Sequence, residues 1–172
     1  MVISKANLLA FLKELDNDLS KKINLIAVGG TAMTLLGLKN STIDIDFDMS
    51  MEDMEEFRKT LQAIPHGFRI DIFLDGMVFS QQLPDDYSEK SIPIDSGLKN
   101  IGLSALHPLD IVVTKIGRLD ERDIEDIEAC IKGFSLLKED IRKRAQNVEY
   151  VGREENYMIN LQHVLKKIFK SS

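Results

Sequence analysis

Tryptophan is absent from this 172-residue chain, aromatic residues make up 6%, and there is one cysteine, Cys130. A single thiol excludes an intramolecular disulfide and a cysteine-based zinc cage. Cys130 sits among Ile124, Ile127 and Ile131 at helical spacing, which predicts a buried, inert thiol rather than a nucleophile. Long hydrophobic runs are missing too. None approaches the roughly 20 residues of a membrane-spanning helix, and the N-terminus lacks the basic-then-apolar pattern of a secretory leader. A cytoplasmic protein is expected. Positive charge is also in short supply: 22 Lys and Arg against 28 Asp and Glu leave a net charge of −6. This argues against broad, nonspecific nucleic-acid binding, while a small anionic substrate accompanied by a divalent cation remains compatible with it. The three histidines, His66, His107 and His163, have no ligand spacing to one another. His107 instead precedes Pro108 as a helix cap. With 44% hydrophobic and 29% charged residues, the chain is expected to fold rather than stay disordered.

What the chain does have is carboxylate, and three acids stand in one short run. Residues 24–48 read NLIAVGGTAMTLLGLKNSTIDIDFD. The apolar run Leu25-Ile26-Ala27-Val28 ends on Gly29-Gly30. Ala32, Met33, Leu35 and Leu36 follow at helical spacing, and Gly37 closes that helix. Then Ile43-Asp44-Ile45-Asp46-Phe47-Asp48 alternates at every step, the period of a strand with one buried face. Ile43, Ile45 and Phe47 are expected to face a core, with Asp44, Asp46 and Asp48 on the other side. Three like charges on one strand face repel, and folding does not ask for them. A divalent cation relieves the repulsion, so the stretch reads as an active site.

Around it the chain reads as an α+β protein. Leu8, Phe11, Leu12 and Leu15 predict a helix from Ser4 to about Asp18 with Ser4 or Asn7 as its cap, and Ser50 with Asp53 predicts a capped helix from Met51 to about Ile64. Residues 68–74 alternate as a strand, Asp75-Gly76 signals a hairpin turn, and 81–90 reads as a polar surface loop. Ile92-Pro93-Ile94 suits an edge strand, and Ile101 with Leu103 one more strand. From Pro108 onward everything reads helical: Asp120 opens a helix ended by Gly133, Ser135 starts another, and a last one spans 154–170. The expected organisation is an α+β core over 1–106 and a helical part over 107–172 packed on it as one compact unit.

Acids at i and i+2 on a strand stand near enough to bridge one Mg²⁺ or clamp two. Two-metal sites use ions roughly 3.5–4 Å apart to steady the attacking and leaving oxygens of a phosphoryl displacement. A third carboxylate from a neighbouring strand completes such sites, and Asp71, mid-strand among apolar residues, is the candidate. The alternatives are an ion pair of Asp71 with Arg69, and Asp48 as the third acid rather than a solvated strand end. A strand ending on Gly29-Gly30 and turning into a helix offers backbone N–H groups to phosphate, and Thr31 can add a hydroxyl. A glycine pair alone is an ordinary turn. Order and spacing together carry the reading.

In that order, Val28-Gly29-Gly30, a short helix and Thr42-Ile43-Asp44-Ile45-Asp46 closely resemble the signature of the DNA polymerase β-like nucleotidyltransferase superfamily. Within it the chain looks most like the small bacterial and archaeal branch that includes AbiEii-type toxins. A lysine followed by an R-D-x-x-D-like stretch is frequent there, and Lys115-Ile116-Gly117-Arg118 with Arg122-Asp123-Ile124-Glu125-Asp126 is similar to it. The resemblance covers residues 24–130. It implies a mixed sheet flanked by helices and transfer of a nucleoside monophosphate from an NTP to a hydroxyl, dependent on Mg²⁺ or Mn²⁺, with release of pyrophosphate. Gly29 and Gly30 map to the phosphate-binding glycines, Asp44 and Asp46 to the metal carboxylates, and Asp71 to the third acid; Lys115 is a candidate phosphate contact, against the ordinary solvated lysine of a helix. Without the resemblance, Asp123 and Asp126 read as a surface ion-pair network, and Arg142-Lys143-Arg144 and Lys166-Lys167 as wet helix faces. The acceptor stays open among a protein side chain, an RNA 3′ end and a small molecule. A second expectation, from another class, is a fold kept without catalysis as a binding protein or toxin–antitoxin component.

Overall fold

The computed structural model describes residues 1–170, and they form an α+β protein with mixed sheet and flanking helices. In chain order the elements are β1 (Ile3–Ser4), α1 (Lys5–Asp18), β2 (Ile23–Ala27), α2 (Gly29–Leu35), β3 (Ser41–Thr42), β4 (Ile45–Met49), α3 (Met51–Leu61), β5 (Ile70–Leu74), β6 (Met77–Val78), β7 (Gln81–Gln82), α4 (Tyr87–Lys90), β8 (Ile92–Pro93), β9 (Ile101–Ala105), α5 (Pro108–Ile116), α6 (Glu121–Phe134), α7 (Lys138–Gln146), β10 (Glu149–Tyr150) and α8 (Glu154–Ile168). They fall into two compact units. The first holds Met1–Asp75 and Lys90–Leu106; the second holds Gly76–Glu89 and the chain from His107 onward.

In the first unit the strands run β5-β4-β2-β9-β8. β4 lies parallel to β5 and antiparallel to β2, while β2 lies parallel to β9. Leu8, Leu12 and Leu15 of α1, Leu25 and Ala27 of β2, and Ile45 and Phe47 of β4 are fully buried. Phe57 of α3 meets Phe47 edge to face at 6.1 Å, an arrangement that suits the ring quadrupoles. Ser4 caps α1 by accepting the Asn7 N–H. Ser50 caps α3 by accepting the Asp53 N–H, but the Asp53 carboxylate turns away to accept the Asn24 N–H at 3.1 Å, so only half a capping box forms. Asp16 does similar work at longer range. Its carboxylate accepts the N–H groups of Lys99, Asn100 and Ile101 at 3.0, 2.7 and 2.8 Å, fixing the approach to β9.

Two expectations about the acidic strand need correction here. Ile43 lies before the strand begins and is 57% exposed rather than in the core. From Ile45 to Met49 every residue is buried, so the strand has no wet face. The cause is its position. Besides lying between β2 and β5 in the sheet, β4 carries Phe57 of α3 against Phe47 and lies against α2, whose Thr31 bonds the Asp46 N–H. Asp48, one reading of which was a solvated strand end, is fully buried.

In the second unit β7 pairs with β6 on one side and β10 on the other. The segment read as a surface loop thus contains a strand, with Gln81 buried. His107 caps α5, its Nδ1 accepting the Leu109 N–H at 3.0 Å. Asp120 and Asp123 form a full capping box at the start of α6. Gly133 does not end that helix. It continues to Phe134, and Ser135 closes it with φ 51°, so α7 starts at Lys138 instead. α8 is tied to α5 by Tyr157, whose hydroxyl donates to the Val113 carbonyl at 2.8 Å, and by Asn160, whose amide donates to the Ile116 carbonyl at 2.9 Å. Among the described residues no helix is long and apolar enough to cross a membrane.

Candidate active site

The glycine turn, the short helix and the acidic strand form one continuous construction in the first unit. β2 ends at Ala27, Val28 stays extended, and Gly29 takes φ 53°, a left-handed conformation that glycine adopts without steric cost. α2 then begins. The N–H groups of a helix's first turn have no partner within the helix, and Val28 supplies no capping side chain. Gly30 is small for a different reason. A Cβ there would stand 2.9 Å from Thr42 Oγ1, so the absent side chain lets α2 lie against β3. At its other end α2 closes with paired bonds, Leu38 N–H to Met33 O and Gly37 N–H to Thr34 O, with Gly37 at φ 75°. This is the Schellman arrangement.

Thr31, the first residue after the glycines, is fully buried, and its hydroxyl is engaged twice. It donates to the Asp44 carbonyl at 3.1 Å and accepts the Asp46 N–H at 2.9 Å. The Thr42 hydroxyl donates to the same Asp44 carbonyl at 3.0 Å. The Val28 N–H donates to the Asp46 carbonyl at 3.1 Å. Thr42 stands in the spaced motif without a role of its own in the sequence reading; its bond to the Asp44 carbonyl supplies one.

The acids are distributed as follows. Asp44 precedes the strand and is half-buried, Asp46 is buried within it, and Asp46 is the register partner of Asp71 on parallel β5. Register partners on neighbouring strands have Cα atoms about 4.8 Å apart and side chains on one face. Asp48 shares that face of β4, opposite Phe73. The Asp71 carboxylate stands 3.2 Å from the Arg69 guanidinium, with side chains 41% and 71% exposed. An ion pair so open to water is worth roughly 0–1 kcal/mol, so a stronger ligand displaces it readily. Among the described residues no three His, Cys, Asp or Glu side chains form a ready-made metal cage. Mg²⁺ is ordinarily bound by one or two carboxylates, with waters and substrate phosphates completing its shell. Asp46 and the adjacent Asp71 fit that requirement in donor type and in register.

Lys115 belongs to the second unit, where its ammonium lies 3.0 Å from Asp123 and 2.9 Å from Asp126. The network expected at the surface is buried: Lys115, Asp123 and Asp126 are all hidden from solvent. Burial pulls the Lys115 pKa down, and Asp126 and Asp123 more than offset this, leaving it above its ordinary value. For Asp123, burial pushes upward while Arg118 and Lys115 pull harder, to about 2. Arg144, read as part of a wet helix face, is buried as well. Its guanidinium forks onto Asp110 at 2.5 and 2.9 Å and reaches Asp86 at 2.7 Å. Between α7 and α8 lies a cavity of about 310 Å³, floored by Met158, Leu161 and Leu165 and flanked by Lys138, Arg142 and Lys166. No carboxylate, imidazole or thiol lines it, so it offers no catalytic set.

Comparison with known proteins bears on this geometry. No curated protein and no solved structure gives a match to the chain. The sequence profile of one protein family, described as a nucleotidyltransferase of unknown function (DUF6036), matches residues 6–168. That span takes in the glycine turn, the acidic strand, β5 and nearly all of the helical second unit, and on it the chain belongs to this nucleotidyltransferase family.

Proposed function

We propose that the protein transfers a nucleoside monophosphate from an NTP to a hydroxyl of an acceptor. The observation that carries this reading is the Asp46–Asp71 register on adjacent parallel strands, one strand of which is hydrogen-bonded to the glycine turn. Phosphate is favoured at a helix N-terminus, where backbone N–H groups and the helix dipole both point. Gly29 and Gly30 present that feature, and the Asp46 backbone is hydrogen-bonded to Val28 and Thr31 on either side of them. Asp44, Asp46 and Asp71 would hold Mg²⁺ or Mn²⁺, which when bound supplies positive charge to the triphosphate oxygens. Asp71, the most accessible acid of β4 and β5, takes the proton of the acceptor hydroxyl. The acceptor oxygen forms its bond to the α-phosphorus, the bond to the β-phosphate oxygen breaks, and pyrophosphate leaves. Lys115 is given a supporting part instead of a phosphate contact, because Asp123 and Asp126 already share its ammonium. The Lys115–Asp126 stretch supports placing the chain in the small AbiEii-type branch.

The experiment is thermal unfolding with ATP, GTP, CTP or UTP, each with and without Mg²⁺. Ligand at a hundred times Kd adds roughly 2.7 kcal/mol, a rise of about 5–11 °C for a chain of this length. A metal-dependent rise with at least one NTP is expected. If none of the four raises the midpoint, the fold is retained for binding or as a toxin–antitoxin component rather than for transfer.

A further inference from the structure

We infer that Thr31 is a positioning residue for the acids: its side-chain oxygen links the glycine turn to the peptide that carries Asp44 and Asp46. The inference rests on the nucleotidyltransferase reading and deepens it. The direction of both Thr31 bonds is fixed by chemistry, since a carbonyl can only accept and an amide N–H can only donate. The hydroxyl proton therefore goes to the Asp44 carbonyl, and a lone pair receives the Asp46 N–H. A hydroxyl has one proton. With that proton on Asp44, Thr31 has none to give a phosphate oxygen.

The sheet explains why such a link is needed here. β4 pairs with β2 at Asp48 and Phe47 alone, opposite Ile26 and Ala27. Its ladder with β5 begins at Ile45. Asp44 thus stands before the first residue paired with β5, and the register with β2 stops at Phe47, one residue short of Asp46. Val28, Thr31 and Thr42 take the place of the missing ladder. They hold the Asp44 carbonyl, the Asp46 N–H and the Asp46 carbonyl. Two of the three stand beside the glycine turn, so hydrogen bonds join turn and acids directly, independently of the chain that connects α2 to β3. Thr42 is itself held in place against Gly30. Buried inside this junction, the Thr31 oxygen is bonded to both sides of Ile45.

The test compares wild type, Thr31→Val and Thr31→Ser by Mn²⁺ titration, followed by electron paramagnetic resonance, in the presence of the NTP that stabilises wild type most. Nucleotide affinity at saturating Mn²⁺ is measured alongside. A misplacement of 1 Å costs on the order of a hundredfold in a positioned site, so Thr31→Val is expected to weaken Mn²⁺ binding by at least about tenfold. Nucleotide affinity at saturating Mn²⁺ should change much less, and Thr31→Ser should restore both. Unchanged Mn²⁺ binding with only a lower unfolding temperature overturns the inference, as does an equal loss of Mn²⁺ and nucleotide affinity, which marks a direct phosphate ligand. If Thr31→Val does not fold, Thr42→Val decides. It removes one of the two hydroxyls on the Asp44 carbonyl, and unchanged Mn²⁺ binding in it refutes the link. Wild type that binds no Mn²⁺–nucleotide complex defeats the parent reading itself, an outcome distinct from all of these.

Discussion

Asp123→Asn removes one charge while keeping the size of the side chain and an oxygen able to receive the Asp120 N–H. In the native protein the carboxylate accepts Lys115 Nζ at 3.0 Å, Arg118 Nη2 at 2.7 Å and Arg118 Nε at 2.8 Å. Despite the cost of burial these partners lower its pKa from 3.8 to about 2. At 1.36 kcal/mol per unit, a drop of that size corresponds to about 2 kcal/mol of folding stability at neutral pH. The sign follows from the direction of the shift. The folded pKa lies below the unfolded one, so the contribution is complete above about pH 4 and is lost as pH falls through 2. Asp126 stays beside Lys115 in the variant, so the lysine is not left as an unpaired buried charge, which would cost about 3–5 kcal/mol. Urea unfolding followed by circular dichroism is expected to show Asp123→Asn weaker by about 2 kcal/mol at pH 7, or roughly 4–8 °C in Tm. At pH 2.5 the gap should have largely closed, because wild type is then losing the same charge. A gap below about 0.5 kcal/mol at pH 7, or one of equal size at both pH values, refutes the reasoning.

The Arg144 fork predicts a contrast within one cluster. Asp110→Ala removes both bonds of the fork and leaves the buried guanidinium only Asp86, which should cost about 1.5–3 kcal/mol, whereas Asp86→Ala, at a carboxylate 46% exposed, should cost under about 1 kcal/mol; equal losses in urea unfolding would contradict the assignment of burial as the cause. Gly30→Ala brings a methyl within 2.9 Å of Thr42 Oγ1 and should destabilise by about 1–3 kcal/mol, and adding Thr42→Ala should return part of that loss in a double-mutant cycle. Asp44→Asn is expected to abolish the metal-dependent thermal shift given by NTP, while the unliganded Tm moves by less than about 2 °C, as for a partly exposed side chain. A retained shift removes Asp44 from the metal site.

What the sequence reveals here is mostly local chemistry. The caps at Ser4, Ser50, His107 and Asp120, and the closure at Gly37, each depend on a few adjacent residues, and all of them form. The alternation from Ile43 to Asp48 announces a strand but cannot say that β2 and β5 flank it. Burial of Asp46 and Asp48 depends on what the fold packs around β4, and Ile43, lying before the strand begins, is exposed. Arg144 looks solvated until the fold brings up Asp110 and Asp86, 34 and 58 residues away. Ser135 in a left-handed cap runs against side-chain preference, so the glycine two residues earlier is the natural but incorrect place to end α6. Of the site, the glycines and acids are visible as a spaced pattern. The Asp46–Asp71 pairing depends on register between strands, and the double engagement of the Thr31 oxygen on the junction between helix and strand.

The placement of β9 constrains how the protein can be made. This strand lies along the whole of β2, from Ile23 opposite Ile101 to Ala27 opposite Ala105, yet it is the last segment of its unit to leave the ribosome. Until then the nascent chain carries β2 with one flank uncovered, a surface able to recruit any extended polypeptide. Products that stop short of residue 106 should therefore be found in the insoluble fraction, and a designer wishing to divide this gene has no safe cut before that point.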